Sequence, residues 1–323
     1  MQLLFVTATR IGDAVLSTGL LAHLLDRHPG AAVTIAAGPA AAPLFEAVPG
    51  LDRLIVLAKR RWSLHWLDLY AAVAPPRRWD LVVDLRGSAL AYLLRARERR
   101  VMAKGNPREH RVRQLARLFD LDPPPAPTLW TSPRHEAAAA ALVPLAGGPF
   151  LAVGPAANWR GKQWRGERFA ELALRLTAPG SGLLPGARVA VMAAAHERPQ
   201  AETLLAALPP ERRLDLVGRA DLLTAAAVLR RSALFIGNDT GLMHIAAASG
   251  APTLGLFGPS PPAQYAPWGP RTAVAATPIP YEALVGAPDF DHRTTGTLMD
   301  SLTVDAAEAT AVALYRSGEG EAA

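Results

Sequence analysis

No cysteine occurs anywhere in the chain. Disulfide frameworks, thiolate metal centres and cysteine nucleophiles are therefore excluded, and the absence fits a reducing compartment. Aromatic residues are scarce at 6%, and charged residues make up only 19%. No apolar stretch approaches the roughly 18 residues that a membrane-spanning helix needs. The Gly-x-Gly-x-x-Gly fingerprint is missing as well. Only Gly12 falls in the first strand-to-helix turn, which argues against a nicotinamide enzyme. The eight histidines are scattered, no His-Glu-x-x-His occurs, and no Asp-x-Asp pair lies near a strand end. No obligatory metal and no cofactor are expected.

What is present describes a globular protein. The chain has 323 residues, enough for two domains of ordinary size, and 50% of them are hydrophobic. Its opening, Met1-Gln2-Leu3-Leu4-Phe5-Val6, has no basic region before it and no small-residue cleavage site after it. It reads as a first β-strand and not as a signal peptide, so a cytoplasmic location is expected. The net charge is +6, unevenly spread. Arg95, Arg97, Arg99, Arg100, Lys104, Arg108, Arg111, Arg113 and Arg117 are opposed only by Glu98 and Glu109. Such a patch suits an anionic partner: a phosphorylated substrate, a lipid surface or nucleic acid. It is equally a solvated helix face in an arginine-rich chain. Nucleic acid fits the charge and nothing else, and is not expected.

Short runs of Val, Ile and Leu alternate with longer helical patterns. Strands are expected at 2–6, 32–36, 53–57 and 80–84, with helices at 14–28, 40–47, 64–73 and 88–97. The second half repeats the alternation, with strands at 150–153, 188–192, 214–217, 234–236 and 253–257. Its helices are expected at 167–176, 198–208, 222–230 and 241–248. Continuous apolar strands separated by helices define parallel sheets covered on both faces. Asp122-Pro123-Pro124-Pro125-Ala126-Pro127 is a stiff segment that no helix can cross. A helix over 134–145 follows it, and then Gly147-Gly148-Pro149. The boundary is expected at this glycine pair, giving doubly wound domains 1–148 and 149–323 that face a cleft. A last helical pattern at 304–315 is expected to pack back on the first domain.

Four strand-to-loop junctions carry candidate chemistry. In Phe235–Ser260, Gly237-Asn238-Asp239-Thr240-Gly241 breaks an apolar run that resumes through His244. Asp239 or Thr240 can cap the helix that follows, and Gly241 lets another group approach the backbone. The amides of a first helical turn favour phosphate. A diphosphate held by amides, Thr240 and His244 is one reading, and simple capping over a core histidine is the other. In Thr7–Gly19, Gly12 permits a tight turn and Asp13 stands near a helix start. Asp13 is there either a cap or a base for an incoming hydroxyl. In Gly154–Leu172, Asn158, Arg160, Lys162, Gln163 and Trp164 follow a strand. The cations could neutralise a leaving diphosphate, or the loop is a surface loop with Trp164 packed as a lid over the core. In Ala194–Glu202, Glu197 is suited to a ribose or base edge, or to a helix first turn.

Three of these segments, in order and spacing, resemble glycosyltransferase family 9, the heptosyltransferases of lipopolysaccharide core biosynthesis. They are FVTATRIGDAVLSTGLLAHLLDRHPGAAVTIAAG, the Lys-x-Trp of KQW, and GNDTGLMHIAAASGAPTLGLFGPSPP. The resemblance implies a GT-B fold, with two Rossmann-like domains facing a cleft and a C-terminal helix crossing back. It implies inverting transfer of a heptose or related sugar from an ADP-sugar to an anionic glycolipid acceptor at the inner membrane surface. Asp13 then matches the general base and Lys162 the cation at the donor diphosphate. Asp239, Thr240, Gly241 and His244 match the donor-binding helix mouth, and Trp164 borders it. Gly12, Asn158 and Glu197 join the expected substrate contacts. The loop Ala156-Ala157-Asn158-Trp159-Arg160 lacks the paired Thr or Ser of many members, and Thr7-Ala8-Thr9-Arg10 lacks their serines. These departures leave the donor sugar open. Another GT-B transferase and a non-catalytic nucleotide-binding relative are the alternatives, and retention of Asp13 and Lys162 speaks against the second.

Overall fold

The computed structural model describes residues 1–74, 78–103, 105–286 and 290–319. Lys104 of the basic run lies outside them. The described chain divides into two compact units, residues 1–132 and 133–323. Helix α5 (Pro133–Leu142), which opens the second, packs against its helix α8 (Leu222–Leu229).

The first unit carries β1 (Gln2–Val6), α1 (Ile11–Arg27), β2 (Ala32–Ala37), β3 (Leu51–Val56), α2 (His65–Val73), β4 (Trp79–Asp84), α3 (Leu90–Leu93), β5 (Ala96–Val101) and α4 (Arg111–Ala116). The sheet order is β3-β2-β1-β4-β5, and every pair is parallel. Leu3, Leu4 and Phe5 are fully buried, as a central strand covered on both faces must be. The chain winds outward from β1 through β2 to β3, then returns to lay β4 on the other side of β1. Two loops therefore flank the point where the winding reverses. One follows β1 and leads to Asp13, and the other follows β4 at Asp84. Such a switch point is where open α/β sheets bind ligands.

The second unit adds β6 (Phe150–Gly154), α6 (Gly166–Leu176), β7 (Arg188–Val191), α7 (Arg198–Ala207), β8 (Arg213–Asp215), β9 (Leu234–Asn238), α9 (Gly241–Ala248), β10 (Thr253–Phe257), α10 (Pro262–Tyr265), β11 (Thr272–Ala276), α11 (Tyr281–Val285) and α12 (Val304–Glu319). Its order is β11-β10-β9-β6-β7-β8, again all parallel. Here the reversal lies between β6 and β9. Helix α6 buries Phe169, Ala170, Leu172, Ala173 and Leu176, one face at helical spacing. Helix α12 packs on α6 and along β10 and β11, through Val304, Ala307, Ala311 and Leu314 at the same spacing.

Two expected elements differ, and one strand appears where none was expected. The pattern at 40–47 is only a short 3-10 turn, Ala42–Phe45, because Pro43 and Pro49 leave no room for a regular helix. The helix expected over 88–97 is a single turn, α3, and the arginine-rich 96–101 is edge strand β5. An edge strand pairs on one side only and tolerates charge on its open side, which protects it from pairing with other chains. Strand β11, Thr272–Ala276, has no counterpart among the expected elements. Its Thr-Ala-Val-Ala-Ala sequence is weakly apolar, and its register against β10 is what makes it a strand.

Candidate functional site

The reversal in the second unit sets the site. β6 and β9 run parallel with Gly154 opposite Gly237, so the loops leaving both strands emerge side by side. A Cβ on Gly237 would lie 2.7 Å from the Phe235 ring and 3.0 Å from the Gly154 carbonyl. Only glycine lets the two strand ends meet there.

The loop after β6 is fixed at many points. Asn238, fully buried at the end of β9, donates its Nδ2 to the Pro155 carbonyl at 2.8 Å. Its Oδ1 accepts from the Trp164 amide at 3.2 Å. Ala157 N donates to Gln200 Oε1 at 2.9 Å, and Gln163 Nε2 donates to the Ala157 carbonyl at 3.0 Å. A 3-10 turn, Arg160–Lys162, closes the loop. Gly161 is required there, since a Cβ would come 2.7 Å from the Trp159 ring. Asn238 was not among the expected site residues. Its signal, a polar residue ending an apolar strand, is visible in the sequence but does not distinguish a strut from a turn.

This frame holds Lys162 against Asp239. Lys162 Nζ lies 2.5 Å from Asp239 Oδ2, with the two side chains 22% and 7% exposed. Asp239 Oδ1 lies 3.8 Å from His244 Nε2. Thr240 is the N-cap of α9 in extended conformation, yet its side chain makes no cap hydrogen bond. Asp239 is spent on Lys162 instead. The expected capping by either residue is therefore replaced by an ion pair, and neither side chain closes off the first-turn amides of α9. The same carboxylate also faces the buried His244. Lys162, Asp239, Thr240 and Gly241 thus stand together at the start of α9.

The remaining expected residues distribute as follows. Asn158 is exposed on the same loop. Trp164 is 2% exposed, donates its Nε1 to the Leu302 carbonyl at 2.9 Å and meets Phe169 edge-on at 5.0 Å. Its indole is thus built into the core, and its part is to hold the loop from below. Glu197 accepts from the Ala194 amide at 2.9 Å through Oε2, in the 3-10 turn Ala195–Glu197 that follows β7. In the first unit Gly12 and Asp13 are the second and third residues of α1, both half-buried. Gly12 is therefore inside the first helical turn and not in the preceding loop. No group of three or more His, Cys, Asp or Glu that could hold a metal is found among the described residues. No described helix is long and apolar enough to cross a membrane.

Two doubly wound units, each with one reversal point, define an α/β protein of the kind that binds ligands beyond its strand ends. The family model "Glycosyltransferase family 9 (heptosyltransferase)" matches residues 80–285, and the chain belongs to that family. It is 30% identical to lipopolysaccharide heptosyltransferase 1 of Pseudomonas aeruginosa over 301 residues, covering 81% of this chain and 80% of the relative. Against lipooligosaccharide heptosyltransferase 2 of Haemophilus influenzae it is 35% identical over 122 residues, 37% of the chain and 32% of that protein. The solved structure of Escherichia coli ADP-heptose lipopolysaccharide heptosyltransferase II superposes with a TM-score of 0.72 at 23% identity, covering 99% of this chain and all of that one. That likeness gives the fold, which is GT-B. The chain is a glycosyltransferase.

Proposed function

We propose that the protein transfers a heptose, with inversion, from ADP-heptose to an anionic lipopolysaccharide-core acceptor at the inner face of the inner membrane. Two similar proteins bear the name lipopolysaccharide or lipooligosaccharide heptosyltransferase, and a third, matched in fold, is named for ADP-heptose. The observation that carries the reading is the side-by-side exit of the loops after β6 and β9, which puts Lys162 and the uncapped start of α9 together. The second unit is the nucleotide-sugar unit in this reading. Lys162, Thr240, Gly241, His244 and the α9 amides take the diphosphate, and their positive charge stabilises it as it departs. Asp239 orients Lys162 and His244. Glu197 and Asn158 lie towards the nucleoside.

The first unit is the acceptor unit. Asp13 removes the proton of the attacking hydroxyl, and the hydroxyl oxygen displaces ADP from the opposite face of the anomeric carbon. Its place in the first turn of α1 puts the carboxylate beside the unpaired amides of that helix end. The test is the Asp13→Asn variant, assayed for ADP release and for sugar transfer after its folding has been confirmed. Loss of transfer by about a hundredfold or more is expected, with ADP binding unchanged. Full transfer by the folded variant would remove Asp13 from the base role. Thermal titration with ADP, UDP and GDP tests the donor, and stabilisation by ADP above the others is expected.

A further inference from the structure

Three successive peptides anchor the backbone around Lys162, and two of their bonds come from a segment about 134 residues further along the chain. The peptide linking Gly161 to Lys162 donates its N–H to the Trp159 carbonyl at 3.0 Å, and its own carbonyl accepts from the Leu298 amide at 3.0 Å. The next peptide donates its N–H to the Arg160 carbonyl at 3.0 Å. The peptide linking Gln163 to Trp164 donates its N–H to Asn238 Oδ1 at 3.2 Å, and its carbonyl accepts from Thr297 Oγ1 at 2.5 Å. A peptide unit is planar, so bonds at both of its ends leave it little room to turn. The main chain thus sets the direction from which Lys162 Nζ reaches Asp239.

The two outer bonds belong to a segment that is itself fixed. Thr297 uses one hydroxyl twice, donating to the Gln163 carbonyl and accepting from the Met299 amide at 3.1 Å. Met299 is fully buried. Its Sδ lies where a Cβ on Gly258, in the loop after β10, would come within 2.5 Å of it, and the Leu298 carbonyl is 3.3 Å from the same position. Residues 297–299 are therefore wedged between the Lys162 loop and the β10 loop. Arg165 and Arg168 clasp the segment further along, at Asp300 and at the Leu302 carbonyl. Those bonds run to α6 and not to the carbonyls of Gly161 and Gln163, so the clasp and the anchoring of Lys162 can be broken separately.

We propose that Thr297 is a positioning residue for sugar transfer, its hydroxyl setting the angle at which Lys162 meets the departing diphosphate. The inference rests on the reading of Lys162 as the cation at that diphosphate. A threonine that only held the fold would change stability and leave the rate per folded molecule alone. One that aims Lys162 changes the rate, because a cation stabilises a leaving group only where the charge develops, and small displacements forfeit that stabilisation. Ground-state binding of the diphosphate is shared with Thr240, Gly241 and the α9 amides and depends less on the angle of one side chain. The effect therefore belongs in kcat and not in the KM of the donor.

The experiment is a double-mutant cycle on the whole protein, with kcat and KM measured for ADP-heptose at a saturating lipopolysaccharide-core acceptor and melting curves recorded alongside. Thr297→Val keeps the shape of the side chain and removes the hydroxyl. It is expected to lower kcat about tenfold and to leave the donor KM within about twofold. Thr297→Ser retains the hydroxyl and should stay within about twofold of the wild type in both. Added to Lys162→Met, Thr297→Val should cost nothing more, because its effect passes through Lys162. Asp300→Asn, which cuts the Arg165 clasp on the same segment, should melt lower and keep its kcat. If Thr297→Val does not fold, Thr297→Ala carries the same expectations without a methyl group facing the Gln163 carbonyl. Wild-type kcat in Thr297→Val while Lys162→Met is slow would overturn the positioning role, as would the same tenfold loss repeated in the Lys162→Met background. Asp300→Asn as slow as Thr297→Val would reduce the effect to a loosened segment and overturn it too. Lys162→Met at full rate would instead remove the reading of Lys162 itself.

Discussion

Lys162 and Asp239 form a pair whose two members have opposite value to a diphosphate. The cation attracts it, and the carboxylate, 7% exposed, repels it. The pair is tolerable because Asp239 fixes Lys162 at 2.5 Å and also faces His244, so the local charge is balanced before ligand arrives. Removing one partner of a partly buried pair leaves the other uncompensated. Lys162→Met is expected to lower stability by about 1–3 kcal/mol and to lower kcat about a hundredfold, as loss of a charge-stabilising group does. Lys162→Met with Asp239→Asn should recover most of the stability and none of the rate. Chemical denaturation and steady-state kinetics on the three proteins check this. A double variant as unstable as the single would show that the pair contributes nothing to the fold. Of the candidate residues, those whose chemistry is local were legible in the sequence: a Lys, an Asp and a Gly at the ends of apolar runs. Their partners were not. Asp239 reads as a cap from its position, and only the distance from Lys162, 77 residues away in the chain, turns it into an ion-pair partner.

Among the elements, α6 carries the loop of Lys162 on its amino end and is tied there by charge. Arg165 holds Asp300 through two bonds of 2.5 Å. Arg168 donates to the carbonyls of Asp300 (2.7 Å) and Leu302 (2.6 Å). Thr297 and Leu298 reach back to the Gln163 and Gly161 carbonyls. The segment 297–302 thus supports the Lys162 loop from outside. The Arg165 guanidinium holds the Asp300 carboxyl below the usual carboxylate range. A carboxyl lowered on folding contributes stability that is complete above its unfolded pKa, about 3.9, and that disappears as pH falls through the folded value. Asp300→Asn should therefore melt below the wild type at neutral pH, with the gap closing as the pH drops under about 4. Calorimetric scans from neutral to acid pH decide it, and a gap that persists at the acid end would place the effect elsewhere. The pair is half exposed, so the gap is small. At this scale the sequence was most legible where apolar period and length agreed, as in β1, β6, β10 and α6. It was least legible where pairing alone makes a strand. β5, Ala-Arg-Glu-Arg-Arg-Val, has the composition of a solvated helix and becomes a strand because β4 offers it an edge. The expected boundary at the glycine pair 147–148 rested on composition, while α5 lies with the second unit because it packs on α8.

Across the whole molecule, the same topological event happens twice. Each unit starts a sheet in the middle, winds to one edge, and crosses back, so each acquires one reversal point with two loops beside it. The loops after β6 and β9 carry a cation and open helix amides, whereas those after β1 and β4 carry a carboxylate in α1 and an arginine beside an apolar cavity. The proposed division of labour between a donor unit and an acceptor unit rests on this difference in charge. It predicts that ADP will act on one unit in particular. A ligand bound only by the folded state stabilises it by about 2.7 kcal/mol at a hundred times its Kd. That stabilisation reaches only those amides whose opening breaks the site. In hydrogen exchange, ADP should slow the amides of 155–165 and of 239–248, together with the Asn238 end of β9. Those of 2–37 and of β4 should keep their rates. The prediction is strict because the loops after β6 and β9 are fastened to each other by Asn238, so a ligand held at Lys162 protects both together. Protection confined to the first unit would mean that the nucleotide binds beside Asp13. Lys162 and the α9 mouth would then be a structural ion pair, and the direction of transfer between the units would have to be reversed.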